Sequence, residues 1–263
     1  MRIVLAIEYD GANFCGWQSQ SSGCGVQDVL EAAIVSIAQH PIRTHAAGRT
    51  DAGVHALMQV VHFDTTTDRP DNAWVRGVNA FLPDTVRVIW SQLIHSEAAE
   101  PFHARFSARQ RSYEYLLVNA PVASAVLSTK AGWYHLPLDI AAMQAGAQYL
   151  IGQHDFSAFQ ASECQANSPI RTLEEASIVA YGDKFVFRFS ANAFLQHQVR
   201  NMLGALIYVG NGKHPPEFIR DLLAQKDRTL SPPTFSPNGL YLTGVEYEKK
   251  WRLPGNDQHI STM

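Results

Sequence analysis

Residues 47–56 read Ala47-Gly48-Arg49-Thr50-Asp51-Ala52-Gly53-Val54-His55-Ala56, the most unusual stretch in the sequence. Its two glycines flank Arg-Thr-Asp, and glycine allows tight turns and the close approach of another backbone. The stretch therefore favours a loop that holds an acid and a base at fixed geometry beside a ligand. From these ten residues alone, a hairpin turn with solvated Arg49 and Asp51 stays open as the alternative.

The segments around this loop predict strands that alternate with helices. β-Branched and aromatic residues indicate strands at 3–7, 42–46, 60–63 and 86–93. Apolar positions 26, 29, 30, 33, 34 and 37 have the spacing of one helix face, and a shorter helix is expected after Asp71 and through Val78. The first part of the chain therefore reads as an α+β unit.

The second half repeats this order loosely, without a close sequence repeat. The patterns predict strands at 113–118, 172–179, 185–189 and 240–247, and helices at 140–150, 195–207 and 217–224. We therefore expect an N-terminal α/β domain with the Asp loop over residues 1–104, a C-terminal α/β domain over 105–251 and a loose polar tail over 252–263. In both halves the helices are expected to lie on an antiparallel sheet.

Composition excludes several classes of protein. The chain has 263 residues, of which 46% are hydrophobic and 17% charged, so it is expected to fold rather than stay disordered. Its first apolar run is too short for a signal peptide, and no stretch approaches the ~20 apolar residues of a membrane helix. Three cysteines without a CxxC motif, Cys15, Cys24 and Cys164, are expected to be free thiols in a reducing cytosol.

Motifs for nucleotide, metal and hydrolase chemistry are missing from the sequence. It contains no GxxxxGK[ST] loop, no GxGxxG after a strand, no HExxH and no GxSxG. The eleven histidines include no cluster with familiar ligand spacing. We therefore expect neither a metal nor a cofactor.

A local excess of positive charge stands out, although the net charge is −3. Residues 101–131 carry Arg105, Arg109, Arg111 and Lys130 against one acidic residue, and the arginines are interleaved with tyrosines. Arginines hold phosphates and aromatic rings stack on bases, so this segment favours RNA binding. An ordinary strand with a solvated basic face is the alternative.

Arg200 lies at the edge of the apolar stripe of its predicted helix. An arginine in that position is expected to be partly buried and to require a carboxylate partner. The simpler interpretation is that the aliphatic part of Arg200 is buried while its guanidinium reaches solvent.

The sequence resembles the tRNA pseudouridine synthase A (TruA) family nearly from end to end. The similarity is carried, in order, by Ile7-Glu8-Tyr9-Asp10-Gly11 with Gly16-Trp17-Gln18, Gly48–His55, Phe102–Ala108, Arg111–Tyr115, Asn192–Leu195, Gln198–Met202 and Gly239–Leu242.

This resemblance implies a fold and a reaction. The family fold has two similar α/β halves forming one continuous antiparallel sheet, with a central active-site cleft. The family isomerises uridine to pseudouridine at positions 38, 39 and 40 in the anticodon stem-loop of tRNA. It uses no cofactor and no metal, and it works as a homodimer. A cytoplasmic protein is therefore expected.

The resemblance also implies roles for individual residues. Asp51 matches the catalytic aspartate, and Arg200 matches the arginine that pairs with this carboxylate and favours its charged form. Tyr113 matches the tyrosine that stacks on uracil, and its hydroxyl is a candidate acceptor of the C5 proton. Arg49 matches the arginine that fills the space left by the flipped nucleotide, and Leu242 matches an apolar residue beneath the base.

Two other functions stay open. A non-catalytic RNA-binding module could retain the same fold. Without the resemblance, Asp51 and His55 could be the acid and base of a hydrolase. The products separate the last possibility, because a hydrolase would release free uracil and an isomerase releases nothing.

Overall fold

The structure is a computed structural model that describes residues 1–94 and 101–254. It divides into two compact units. The first unit comprises Met1–Arg109 together with the chain from Tyr241 onward, and the second comprises Gln110–Leu240. The predicted division of the sequence at residues 104 and 105 stays a prediction. It lies close to the first boundary of these units but does not include the return of the last strand.

Eight of the ten strands that the structure describes follow the predicted order, whereas the short strands Gly132–Tyr134 and Gly152–Asp155 were not predicted. The described residues form β1 (Arg2–Tyr9), β2 (His45–Ala46), β3 (His55–Asp64), β4 (Val86–Ile94), β5 (Ala108–Asn119), β6 (Gly132–Tyr134), β7 (Gly152–Asp155), β8 (Ile170–Tyr181), β9 (Lys184–Ala191) and β10 (Leu240–Tyr247).

The helices also follow the predicted order along the chain. The α-helices are α1 (Val26–Ala38), α2 (Ile140–Gln148), α3 (Gln198–Gly210) and α4 (Phe218–Gln225). A π-helical segment spans Ala73–Gly77, and single 3₁₀ turns span Gly11–Asn13, Ser157–Phe159, Arg228–Leu230 and Lys249–Trp251.

In the first unit, β1 lies between two antiparallel neighbours, β3 and β4. Its segment Ile3–Ile7 is fully buried, which explains why both faces of this strand are apolar. β2 pairs antiparallel with the far part of β3, and β10 pairs parallel with its beginning. The order in this unit is therefore β4-β1-β3-β10.

In the second unit, the strand order is β5-β9-β8-β7, and every neighbouring pair is antiparallel. The predicted hairpin between β8 and β9 is present, with Gly182 at φ +64° where a side chain would be strained. The short β6 pairs parallel with β5. β7 was missed in the sequence, because its four residues, Gly-Gln-His-Asp, carry no apolar alternation.

The predicted fold class is confirmed, with one difference in detail. The ten strands are assigned to one sheet, but the pairs β3–β10 and β5–β6 are parallel, so the sheet is mixed. Of the predicted tail, residues 255–263 lie outside the described residues. Across residues 1–94 and 101–254, no helix combines the length and the apolar character needed to cross a bilayer.

The prediction for the cysteines was wrong in part. Cys15 and Cys24 form a disulfide with a Cα–Cα distance of 5.4 Å, and Cys164 is free. The backbone brings the pair together, because Cys15 N donates to Cys24 O at 3.0 Å. Spacing in the sequence gives no sign of this loop closure.

Candidate active site

Residues 47–56, here called the Asp51 loop, comprise the connection from β2 to β3 and the first two residues of β3 in the first unit. Val54 N donates to Asp51 O at 3.2 Å, which closes a turn directly after the aspartate. Gly53 follows at φ +78°, a conformation that other residues rarely adopt. Asp51 is half-buried and Arg49 is exposed, so both side chains can reach a ligand.

The beginning of the loop is fixed by a buried amide side chain on β3. Gln59 is fully buried. Its Nε2 donates to Gly48 O at 2.6 Å, and its Oε1 accepts from Gly48 N at 3.4 Å. Both hydrogen-bonding groups of one loop residue are therefore satisfied by one side chain, which fixes the path of the backbone.

The residue before Asp51 is fixed from two directions. The hydroxyls of Tyr9 and Thr50 lie 2.8 Å apart, and Trp17 N donates to Thr50 O at 3.0 Å. Burial raises the pKa of Tyr9 to about 12, so its hydroxyl keeps its proton at neutral pH. Asp51 therefore follows a residue that cannot move without breaking buried hydrogen bonds.

The segment after β1 packs directly against the backbone of the loop. A Cβ at Gly11 would lie 1.9 Å from Val54 O, and a Cβ at Gly16 would lie 2.7 Å from Thr50 O. Real Cβ atoms do not approach a carbonyl oxygen so closely. Glycine is required at both positions because two backbones touch there.

His55 closes the far end of the loop. Its side chain is 2% exposed, and its Nδ1 lies 3.1 Å from both Gly11 N and Asp10 Oδ1. Its ring stacks on Tyr241 with centroids 4.6 Å apart. The pKa of Tyr241 is raised to about 12 by burial and by Asp10. This buried imidazole joins two segments of the unit, which argues against its use as the acid or base of a hydrolase.

Leu242 lies beside the end of the same loop. It is fully buried on β10 and pairs in register with Ala56 at the beginning of β3. The first unit therefore contains three of the predicted site residues, Asp51, Arg49 and Leu242.

Tyr113 belongs to the second unit. It lies on β5 opposite Phe189 and is 8% exposed. The ring of Phe194 meets it edge-on, with centroids 5.2 Å apart and an interplanar angle of 88°. The contact with Phe194 therefore restricts the orientation of this ring.

Arg200 also belongs to the second unit, on α3. It is half-buried, as its position beside the apolar stripe predicted. Its Nε donates to Phe235 O at 2.9 Å, while Phe235 N donates to Arg200 O at 3.3 Å. Its predicted pairing with a carboxylate stays a prediction.

The three arginines predicted to bind phosphates lie in different environments. Arg105 is exposed. Arg109 forms an ion pair with Glu248. Arg111 is 8% exposed, and its Nη1 donates to Asn192 O at 2.8 Å. Phosphate binding by the three stays a prediction, and Arg111 is the one of them whose side chain is mostly buried and already donates to a backbone carbonyl.

Sequence reasoning missed the side chains that hold the Asp51 loop. Nothing in the pattern distinguishes Tyr9 from other residues of a buried strand, and for Gln59 the one available signal was a polar amide within an apolar run. Within the part of the chain that the structure describes, no group of three or more His, Cys, Asp or Glu side chains could hold a metal ion.

Comparison with known proteins places this site in a family. A family model described as tRNA pseudouridine synthase matches residues 5–107 and 147–248, which include the whole Asp51 loop and α3. The chain belongs to the tRNA pseudouridine synthase family. The predicted family and enzyme class, an isomerase of tRNA uridine, are thereby confirmed.

Individual relatives match over almost their full length. A tRNA pseudouridine synthase A of Methylobacillus flagellatus is 60% identical over 99% of this chain and 98% of its own. Those of Chromobacterium violaceum and Nitrosomonas eutropha are 56% and 55% identical, over 97% of this chain and 96% and 90% of theirs. Among solved structures, a Cbf5-Nop10-Gar1 complex is similar with a TM-score of 0.37 and 12% identity, over 93% of this chain and 50% of that chain.

Proposed function

We propose that this protein converts uridine to pseudouridine at positions 38, 39 and 40 in the anticodon stem-loop of tRNA, with Asp51 as the nucleophile. The observation that carries the proposal is the Asp51 loop. A half-buried carboxylate follows a buried threonine on a backbone held at Gly48, Thr50 and Val54. Such preorganisation suits a group that must meet one carbon atom of a bound nucleotide.

The reaction needs little more than a nucleophile and proton transfers. The bond between N1 and C1′ breaks, a bond between C5 and C1′ forms, the C5 proton leaves and N1 takes up a proton. A carboxylate can form a covalent intermediate in such a displacement. The atoms balance without any further reactant, so the proposal includes neither a metal nor a cofactor.

The roles proposed for the other residues rest on their motifs. Tyr113 stacks on the uracil and is the candidate acceptor of the C5 proton. Arg200 is the cation that pairs with the Asp51 carboxylate. Arg49 takes the place of the nucleotide that leaves the stem, because the C5 edge of a stacked base is out of reach. Leu242 supports the base from below.

We also propose a homodimer that works in the cytoplasm. The tRNA substrate supports the location. A chain of net charge −3 can present a wide basic surface when two copies combine their basic segments, which supports the dimer.

The test is incubation of the protein with an unmodified tRNA transcript that carries tritium at C5 of its uridines. Release of tritium into water measures the loss of the C5 proton, and mapping of pseudouridine gives the positions. No cofactor is added. Pseudouridine at 38, 39 or 40 supports the proposal, whereas free uracil or an unchanged transcript contradicts it.

A further inference from the structure

A short turn of the first unit presents an aromatic ring to solvent. This turn, His103–Ser107, is here called the Phe106 turn. Phe106 is 76% exposed, more than any other Phe, Tyr or Trp that the structure describes. Ser107 N donates to His103 O at 2.8 Å, and His103 Nδ1 accepts from Arg105 N at 3.1 Å. The backbone of the turn is thus fixed by its own hydrogen bonds.

Buried groups of the same unit hold the turn in place. Ala104 N donates to His62 Nδ1 at 3.1 Å, and the Tyr247 hydroxyl donates to Ala104 O at 2.7 Å. The rings of His62, His103 and Phe106 form a ladder from the core to the surface, with centroid distances of 4.6 and 4.3 Å. Phe106 is the exposed end of this ladder, and its contact with His103 holds the ring in place at the surface.

We propose that the Phe106 turn binds an unpaired nucleotide of the RNA substrate, with the base stacked on Phe106 and the adjacent phosphate on Arg105. The identity of the RNA as tRNA rests on the proposed function. Arg105 Cζ lies 5.7 Å from the centroid of the Phe106 ring. Such a contact is weak at an exposed site. A base can therefore displace the guanidinium, which turns to the phosphate.

The chemistry around the ring favours RNA over a protein partner. Arg105 and Arg109 lie one and three residues from Phe106 in the sequence, within a segment of net positive charge. Both side chains are exposed, and Arg109 forms an ion pair with Glu248. One nucleotide can be bound by an aromatic ring that stacks on its base and a cation that contacts its phosphate, and both groups are present in this turn. A stable protein interface buries about 1,600 Å² in total, far more than one ring supplies.

The test measures binding of an unmodified tRNA transcript by fluorescence anisotropy over a series of salt concentrations. Phe106→Leu keeps an apolar side chain without the ring, and its Kd should rise by about fivefold or more. Phe106→Tyr keeps the ring and should bind within about twofold of wild type. Phe81→Leu is the matched control, because Phe81 is an exposed ring of the same unit, and it should leave Kd unchanged.

Arg105 is tested by the salt dependence. Arg105→Gln should reduce the slope of log K against log salt concentration by about 0.7–0.9, the contribution of one phosphate contact. Phe106→Leu should leave that slope unchanged, since stacking releases no counterions. The two variants therefore separate the two halves of the proposed contact.

An unchanged Kd for Phe106→Leu overturns the proposal. So does an equal loss in Phe106→Tyr, because the ring is then irrelevant. A change of oligomeric state with unchanged tRNA binding would assign the ring to a protein contact and would also overturn it. The readouts are independent of turnover: if wild-type protein forms no pseudouridine while Phe106→Leu still weakens binding, the proposed function fails and the RNA site stands.

Discussion

The two units hold their predicted site residues by different means. In the second unit, Tyr113 and Arg200 lie on a strand and a helix, whose regular hydrogen bonds and apolar neighbours set their orientation. In the first unit, Asp51 lies on an irregular loop that is held by buried polar side chains and by backbones in contact. We therefore expect that small substitutions around the loop lower turnover more than comparable substitutions in the regular elements of the second unit.

The largest effect is expected at Asp51 itself. Asp51→Asn keeps the size of the side chain and removes the charge that the proposed reaction needs. Turnover should fall by about 10⁴-fold or more, as for other nucleophiles. Single-turnover measurements of pseudouridine formation check the rate, and anisotropy should give nearly unchanged tRNA affinity. Turnover within tenfold of wild type would remove Asp51 from its proposed role.

Most of the regular elements and the position of the loop could be predicted from the sequence, but the contacts that hold the loop could not. Apolar positions at helical spacing predicted α1 and α3 within a few residues, and the apolar run at Ile3–Ile7 predicted the buried part of β1. The partial burial of Arg200 followed from the same periodicity. In each case the pattern is local, so the sequence contains it.

Contacts between distant segments determine the features that the sequence did not predict. Gln59 holds Gly48 and Tyr9 holds Thr50, 41 residues away, and neither pairing leaves a periodic trace. The disulfide of Cys15 and Cys24 and the parallel pairing of β10 with β3 depend in the same way on where the chain returns. The motif predicted a functional loop, but it did not indicate which residues hold that loop.

A glycine substitution in each unit tests the contrast directly. Gly11→Ala would force a Cβ into the Val54 carbonyl, and neither backbone can yield cheaply. The free energy of unfolding should fall by about 2–3 kcal/mol or more, and turnover should fall as well. Gly146→Ala on α2 meets the flexible side chains of Ile219 and Leu206 at 3.3 and 3.4 Å. Since alanine also favours the helix by about 1 kcal/mol, that variant should be near neutral.

Urea unfolding and initial rates measure both variants. Equal losses of stability would show that the loop contact is no more demanding than ordinary helix packing. A stable Gly11→Ala protein with full turnover would contradict the close backbone contact itself.

Acid should destabilise the first unit through His62, another buried polar residue on β3. Burial above all, with smaller contributions from Arg2, His103 and His45, lowers the pKa of His62 to about 3, while Asp64 opposes this shift. The folded protein therefore keeps this imidazole neutral where the unfolded chain, with a pKa near 6.5, takes up a proton. The contribution of neutral His62 to the free energy of unfolding is therefore fully present above pH ~6.5 and is lost as the pH falls toward 3.

Comparing pH 8 with pH 5.5 isolates this contribution. Between these values, wild type should lose about 1.4 kcal/mol more of its free energy of unfolding than His62→Gln, which has no titrating ring. Urea unfolding at both pH values gives the numbers. If both proteins show the same pH dependence, His62 is already protonated in the folded state or is not buried.

Two hydroxyl deletions with small and equal expected losses of stability give the sharpest form of the comparison. Tyr9→Phe removes one hydroxyl from the hydrogen bond to Thr50, and Tyr115→Phe removes one from the bond to Ser236 O in the second unit. Both tyrosines are buried, so each variant should lose about 1 kcal/mol of the free energy of unfolding. Their effects on the reaction should differ. Thr50 precedes Asp51, so a loosened Thr50 lowers kcat several-fold, while the KM for tRNA stays near wild type because the RNA contacts are intact. Tyr115→Phe should leave both constants unchanged. Equal kcat values in the two variants, at equal losses of stability, would mean that the hydrogen bonds beneath the loop stabilise the first unit without positioning the carboxylate.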